Sequence, residues 1–152
     1  MLSNEIIKYI EKSILCWLAT ADADGMPNVS PKEIFNYHGN NLIIANIASP
    51  QSVANIKLNN KVCVSFIDIL VQKGWQLKGT ATLLEKEDPN FDELEKILLK
   101  MTNGKFPFST IICIHIEQAK PIVAPSYLLY SETTEQQQIE NAVKAYQLSL
   151  FK

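Results

Sequence analysis

The stretch from residue 41 to residue 57 constrains the fold more than any other part of the sequence. Its first half is a short apolar run rich in β-branched residues, Leu42 to Ile47, which is typical of a strand. Its second half has the sequence of a helix start, because Ser49 is a favoured N-cap residue and Pro50 suits the first helical position. The stretch therefore predicts a strand that turns directly into a helix.

The first turn of that helix has the features of an anion site. The backbone N–H groups of Gln51, Ser52 and Val53 lack partners within the helix, and the helix dipole adds partial positive charge there. A phosphate group binds readily in such a turn. A capped strand-to-helix turn without a ligand has the same sequence pattern, so both interpretations stay open on this segment alone.

Length and charge narrow the class of protein. A chain of 152 residues suffices for one domain with its own core, which we expect to span residues 1–152. A net charge of −2 favours neither nucleic acid nor an anionic membrane as partner. The first residues lack a basic signal region, and no apolar run approaches the roughly 18 residues of a membrane span. We therefore expect a cytoplasmic protein without nucleic-acid or membrane partners.

The basic and metal-binding residue types set further limits. All 14 basic residues are lysines, so any bound phosphate is held without a bidentate guanidinium group. The cysteines, Cys16, Cys63 and Cys113, are widely spaced in apolar runs, which indicates core packing rather than disulfides or zinc ligands. His38 and His115 are isolated in the sequence, so no metal site is predicted.

The rest of the chain alternates strand patterns with amphipathic helices. Ser3, Asp88 and Thr134 mark helix starts, and the last helix is expected to extend to Leu150. Besides the strand before Ser49, strand patterns cover residues 14–20, 28–37, 62–70, 75–83 and 109–117. Pro121 is expected to break the regular structure that follows. Six strands with helices between them and at both ends predict an α+β domain on a closed or nearly closed barrel.

The common catalytic motifs do not occur in the sequence. The five glycines form neither the dinucleotide-binding fingerprint nor a Walker loop. No Ser-His-Asp or Cys-His signature of a nucleophilic enzyme is present either. We therefore expect a cofactor to carry any chemistry, and no catalytic residue is assigned.

Two segments carry a family resemblance. They read Gly25-Met-Pro-Asn-Val-Ser-Pro-Lys32 and Ile44-Ala-Asn-Ile-Ala-Ser-Pro-Gln-Ser52. Read together, they resemble the FMN-binding split barrel of the pyridoxamine 5′-phosphate oxidase family. The resemblance covers about residues 14–122 and includes Trp75-Gln-Leu-Lys-Gly-Thr-Ala81. It implies a six-stranded antiparallel split β-barrel with flanking helices.

The resemblance also implies FMN as the cofactor and a set of residues that contact it. Lys32 matches the family's strand lysine, and Ser49 matches its turn serine. Pro50 and Gln51 stand where the larger enzymes have Arg-Lys, which shifts the phosphate contacts to the serines and the helix N-terminus. The implied cofactor-binding residues of this chain are Val29, Ser30, Pro31, Lys32, Asn46, Ser49, Gln51 and Ser52.

A second chain is implied as well, because proteins of this fold are typically homodimers with FMN at the interface. Lys73, Trp75 and Gln76 are the candidates for the second chain's contacts. A surface lysine, a core tryptophan and a polar sheet face would give the same three residues, so that interpretation stays open.

Three functions follow as alternatives. The first is an FMN-dependent oxidoreductase with a small-molecule substrate that the sequence does not name. The second is a flavin-binding or flavin-sensing module without turnover, and the third is an empty split barrel that serves as an interaction domain. In relatives a deazaflavin or heme replaces FMN. Residues 120–135 contain no arginine and no histidine, so we do not expect efficient oxidation of pyridoxine 5′-phosphate.

Overall fold

A computed structural model describes residues 2–148 of the chain. Helices and strands alternate along these residues. The elements are α1 (Asn4–Lys12), β1 (Cys16–Ala21), β2 (Pro27–Lys32), β3 (Phe35–His38), β4 (Asn41–Asn46), α2 (Pro50–Leu58), β5 (Lys61–Asp68), β6 (Lys73–Glu85), α3 (Phe91–Thr102), β7 (Thr110–Val123), α4 (Pro125–Leu129) and α5 (Glu135–Ala145).

The strands form one antiparallel sheet in the order β2-β1-β5-β6-β7-β4-β3. The two edge strands, β2 and β3, are consecutive in the chain and are separated by Glu33 and Ile34. The chain thus connects the two edges of the sheet, although the hydrogen-bonded ladder between them does not close.

The predicted α+β class with an antiparallel sheet and flanking helices is confirmed, but the expected number of six strands is wrong. The pattern at residues 28–37 forms two strands because its halves pair with different neighbours, β2 with β1 and β3 with β4. The change occurs at Ile34, whose carbonyl already accepts a hydrogen bond of 3.0 Å from the Ala45 N–H. The result is a seven-stranded sheet that is not a closed barrel.

Strand β7 is longer than predicted and continues through Pro121. Its first half lies between β6 and β4, but β4 pairs with it only as far as His115. Beyond that point β7 is an edge strand, where a proline without an N–H group is tolerated. The expected break at Pro121 is therefore wrong, and the chain leaves the sheet at Val123.

Helices cover both faces of the sheet. The main core lies against α1, which buries Ile6, Tyr9 and Ile10. A second cluster packs α3 against β4 and β7, with Phe91 and Leu98 at its centre. No helix in the described part of the chain is long and apolar enough to cross a membrane.

The predicted helix starts are mostly correct. The Ser3 hydroxyl accepts a hydrogen bond from the Ile6 N–H, and Thr134 forms a capping box with Gln137. Helix α3 begins two residues later than its predicted start, because Asn90 rather than Asp88 is its N-cap. The expected end of the last helix at Leu150 lies outside the described residues.

Candidate functional site

One buried lysine and three serines meet where β2 faces the start of α2. The Lys32 Nζ atom donates to the Ser30 Oγ atom at 2.6 Å and to the Ser49 Oγ atom at 2.5 Å. The Ser30 hydroxyl shares a further hydrogen bond of 3.2 Å with the Ser52 hydroxyl. These four residues are the lysine-serine cluster, and all four belong to the predicted site.

The alternation of β2 decides which of its residues reach the cluster. Successive side chains of a strand point to opposite faces, so Ser30 and Lys32 point toward α2 and Val29 and Pro31 point away. Val29 is 59% exposed. The side chains of Val29 and Pro31 therefore do not join the cluster.

Lys32 is buried without a negatively charged partner. It is 5% exposed, and within residues 2–148 no carboxylate lies within ion-pair distance of its Nζ atom. Burial lowers the pKa of Lys32, because the ammonium form loses its hydration. Removing an unpaired charge from water is costly, so an anion bound beside Lys32 would stabilise this site.

Cys16 is the titratable neighbour of Lys32 and lies directly opposite it in the β1–β2 ladder. Burial raises the pKa of the Cys16 thiol to about 12, although the charge of Lys32 acts in the other direction. The thiol is therefore neutral near neutral pH. It does not supply the missing negative charge.

The start of α2 leaves two backbone donors free. Ser49 is the N-cap and Pro50 the first helical residue, as predicted, but the Ser49 hydroxyl makes no capping bond and contacts Lys32 instead. The N–H groups of Gln51 and Ser52 have no partner among the described residues. Both donors and the helix dipole favour an anion beside Lys32.

A buried polar network holds α2 against β1 and β2. Asn55 is 2% exposed; its Nδ2 atom donates to the Thr20 hydroxyl at 3.0 Å. Its Oδ1 atom accepts a hydrogen bond of 2.7 Å from the Gln51 side chain. Asn28 donates to the same Thr20 hydroxyl at 3.3 Å. The network fixes the position of the first turn of α2.

Sequence reasoning does not predict Asn55 or Thr20 as parts of the site. The signal for Asn55 is its spacing of three residues from Ser52, which places both on one face of the helix. Thr20 carries no comparable signal, because its pairing with α2 depends on the tertiary fold.

An open pocket of about 280 Å³ lies against the cluster. Its lining is mainly apolar and consists of Pro31, Lys32, Glu33, Ile34, Ala45, Ile47, Ala48, Ser49 and Phe106. This volume is near the lower end of the usual range for ligand pockets, about 300–1,000 Å³. A larger open pocket of about 460 Å³ is lined by residues between Ser126 and Asn141 and shares no residue with the cluster.

Lys73, Trp75 and Gln76 lie on β6 and are not brought to the cluster within one chain. The Lys73 Nζ atom donates to Glu135 at 2.8 Å and lies 4.3 Å from the centre of the Tyr127 ring. Trp75 packs against the main core, and Gln76 points to the other face of the sheet. Their contribution to a second chain's site stays a prediction.

Asn46, the last residue of β4, is the remaining predicted contact. Its Oδ1 atom is buried and has no hydrogen-bond partner in the described part of the chain. Buried polar atoms are rarely left unpaired in proteins, so this atom is a candidate contact for a ligand. In residues 2–148 no group of three or more His, Cys, Asp or Glu side chains is arranged to hold a metal ion.

The family model described as pyridoxamine 5′-phosphate oxidase matches residues 2–123. The match includes β1 to β7 and the whole lysine-serine cluster, and it ends before α4. No curated protein matches the chain significantly.

Solved structures with different described functions have a similar fold. HupZ from Group A Streptococcus is 25% identical, with a TM-score of 0.66 over 78% of this chain and 92% of that chain. An FMN-binding protein from Syntrophomonas wolfei is 19% identical, with a TM-score of 0.66 over 79% and 88%. HutZ, the heme storage protein from Vibrio cholerae, is 18% identical, with a TM-score of 0.62 over 80% and 94%. The fold thus occurs in proteins described as binding flavin and as storing heme.

Proposed function

The chain belongs to the pyridoxamine 5′-phosphate oxidase family, and from that premise we propose that it is a flavoprotein that binds FMN through the lysine-serine cluster. The observation that carries the proposal is Lys32, a buried lysine whose hydrogen-bond partners are the hydroxyls of Ser30 and Ser49. The phosphate of FMN provides the negative charge that the cluster lacks.

The donors around Lys32 suit a phosphate group. Lys32 contributes the charge, the hydroxyls of Ser49 and Ser52 contribute neutral donors, and the N–H groups of Gln51 and Ser52 add two more. This donor set needs no arginine, in agreement with the composition of the chain.

The edge of β2 offers backbone groups to the flavin ring. Strand β2 pairs with β1 on one side only, so alternate backbone groups between Val29 and Lys32 are free on the other side, although Pro31 has no N–H group to donate. A flavin ring has acceptors and a donor along its polar edge that complement such a strand. When bound, FMN supplies electron and hydride transfer, while the chain's own residues bind the phosphate and orient the ring.

We favour FMN over heme because of the composition of the cluster. It contains no histidine, cysteine or methionine, which are common axial ligands of heme iron. Its serines and lysine are hard donors that suit phosphate oxygens. Heme binding by this chain would require a ligand from another part of the protein.

We further propose that the protein is a homodimer. Trp17, Val29 and Ile67 are apolar residues on one face of β1, β2 and β5, and they are 46%, 59% and 38% exposed. Exposed apolar residues grouped on one sheet face are typical of a protein interface. Sedimentation should give a dimer at micromolar concentration, and Trp17→Lys should shift it toward monomer. A native monomer that still binds FMN would contradict this proposal.

Ligand titration of the purified protein tests the function. We expect FMN to bind more tightly than riboflavin and heme to bind weakly. Reduction of the bound flavin by NAD(P)H, followed by turnover with an acceptor, would support the oxidoreductase; tight binding without turnover would support the non-catalytic module. A protein that binds heme and not FMN would overturn the proposal.

A further inference from the structure

Ser49 has the surroundings of an activated nucleophile. Its Oγ atom lies 2.5 Å from the Lys32 Nζ atom, and its side chain is not used to cap α2. Unlike Ser52, which is 1% exposed, Ser49 is partly exposed and lines the open pocket. A small molecule in that pocket therefore reaches the Ser49 hydroxyl.

Lys32 is placed to act as the general base for this hydroxyl. A lysine in an ion pair holds its proton tightly, but Lys32 has no carboxylate partner among the described residues. Burial lowers the pKa of Lys32, which increases the fraction of neutral amine. A neutral amine at hydrogen-bond distance can accept the proton of an attacking serine.

The start of α2 supplies the third element of such a site. The N–H groups of Gln51 and Ser52 lie two and three residues after Ser49 and are not used by other described groups. Free N–H groups at a helix start stabilise the oxyanion that forms when a serine attacks a carbonyl. The nucleophile and the oxyanion donors thus lie within the four consecutive residues 49–52, and the base is Lys32, which faces them.

We propose that, in the flavin-free protein, Ser49 and Lys32 form a nucleophile-base pair that hydrolyses short-chain acyl esters. The Ser49 oxygen bonds to the ester carbonyl carbon and passes its proton to the neutral amine of Lys32. The bond to the alcohol breaks, and the alcohol leaves with that proton. Water then attacks the acyl-serine, which releases the acid and regenerates Ser49. The reaction thus consumes one ester and one water molecule, and one acid and one alcohol are formed.

The small pocket defines the class of substrate. Its apolar lining, which includes Ile47, Ala48 and Phe106, suits a short acyl group without charge. FMN and the ester compete for the same residues, because a bound phosphate keeps Lys32 protonated and occupies the hydroxyl of Ser49. The activity should therefore disappear when FMN saturates the protein.

Hydrolysis of p-nitrophenyl acetate by the flavin-free chain tests the proposal. Ser49→Ala and Lys32→Met should each lower the rate at least about tenfold, as loss of a nucleophile or general base does. The control variants Ser109→Ala and Lys86→Met change exposed residues outside the site and should keep the native rate. The native rate should rise with pH as Lys32 loses its proton; Cys16, with a pKa of about 12, contributes little to this rise near neutral pH.

The site of acylation distinguishes attack by Ser49 from nonspecific reaction of surface lysines. The chain has no arginine, so trypsin releases residues 33–57 as one peptide that contains Ser49 and Ser52. Acetyl groups should appear on Ser49, disappear in Ser49→Ala and return on the thiol of Ser49→Cys. Should Lys32→Met fail to fold, the two Ser49 variants decide the question.

Two outcomes would overturn the inference: an unchanged rate in Ser49→Ala, or acetylation that avoids Ser49. These outcomes are independent of the proposed function. FMN binding without acylation of Ser49 would remove this inference alone. Acylation of Ser49 in a protein that does not bind FMN would remove the proposed function alone.

Discussion

Lys32 and Lys73 have opposite surroundings. Lys32 is buried, contacts hydroxyls, and its pKa is lowered by burial. Lys73 is half-buried, pairs with Glu135 and lies over the Tyr127 ring, and its pKa is raised chiefly by the hydrogen bond to Glu135. The charge of Lys73 is already balanced within the chain. That of Lys32 is not, and this difference is the reason that we propose an anionic ligand at Lys32.

The partners of the two lysines also come from different parts of the chain. Everything around Lys32 lies within the family match at residues 2–123. Both partners of Lys73, Tyr127 and Glu135, come from α4 and α5, which lie beyond it. Lys73 on β6 therefore connects α4 and α5 to the sheet.

The largest expected effect is the loss of FMN affinity when Lys32 is replaced, and the same replacement of Lys73 is the comparison. Lys32→Met should weaken FMN binding about 10- to 150-fold, because a charge-assisted hydrogen bond contributes about 1.5–3 kcal/mol. Lys73→Met should change FMN affinity by less than about threefold, because Glu135 already balances the charge of Lys73 and any contact that Lys73 makes with a second chain's flavin is therefore weak. Fluorescence titration of FMN measures both. Similar losses of FMN affinity in the two variants would show that the two lysines do not differ in their role in FMN binding.

The flavin-free stability of Lys32→Met provides a second measurement of the same contrast. Methionine has a similar length and removes an unpaired buried charge, so the free energy of unfolding should stay the same or rise. Urea unfolding measures it. A large loss of stability would show that Lys32 serves the fold rather than a ligand.

A carboxylate placed in the cluster should have the next largest effect. Ser52→Asp sets a negative charge beside Ser30, where it pairs with Lys32 and repels the phosphate. FMN affinity should fall about 10- to 100-fold, a cost of about 1.4–2.8 kcal/mol, while riboflavin loses far less. Ser52→Ala is the matched control and should lose less FMN affinity. An equal loss for FMN and riboflavin would place the phosphate elsewhere.

The pH dependence of FMN binding follows from the lowered pKa of Lys32. Phosphate favours the ammonium form, so binding raises this pKa and takes up a proton above the pKa of the free protein. FMN affinity should therefore fall as pH rises through the free pKa of Lys32, by at most about tenfold per pH unit. Riboflavin affinity should stay flat over the same range. A flat profile for FMN would mean that Lys32 is fully protonated before binding.

The smallest expected effect is the loss of stability when the ion pair between Lys73 and Glu135 is removed. Glu135→Gln should lower the free energy of unfolding by about 0.2–1 kcal/mol, the range for exposed ion pairs. The hydrogen bond from Lys73 lowers the pKa of Glu135, so this contribution exists above the ordinary glutamate pKa and is lost as pH falls through the lowered one. Urea unfolding near neutral pH and in acid tests this, with Glu132→Gln as the control. A difference that persists in acid would contradict the ion-pair explanation.

The sequence predicts local features well and long-range ones poorly. The alternation from Trp75 to Leu83 predicts β6, and the Ser-Pro pair at Ser49 predicts the start of α2. The break at Ile34 depends on which distant strand each half joins. The continuation through Pro121 depends on where β4 ends. Neither fact is present in the local residue pattern.

The candidate site shows the same contrast between local features, which the sequence predicts, and long-range ones, which it does not. The family resemblance selects Ser30, Lys32, Ser49 and Ser52, and the structure brings these four together. It makes Lys73 a candidate for a second chain's site but does not reveal the pairing with Glu135, which lies outside the matched residues. The loss of the predicted capping role of the Ser49 hydroxyl follows from the burial of Lys32, which the sequence alone does not reveal.

The central claim is that Lys32 holds the phosphate of FMN, and calorimetric titration of FMN and riboflavin against the native protein and Lys32→Met tests it most directly. The two ligands differ in the phosphate, so the four dissociation constants give the coupling between phosphate and lysine. We predict that the native protein prefers FMN by about a hundredfold or more and that this preference falls below about tenfold in the variant. An equal preference for FMN in both proteins would contradict the claim.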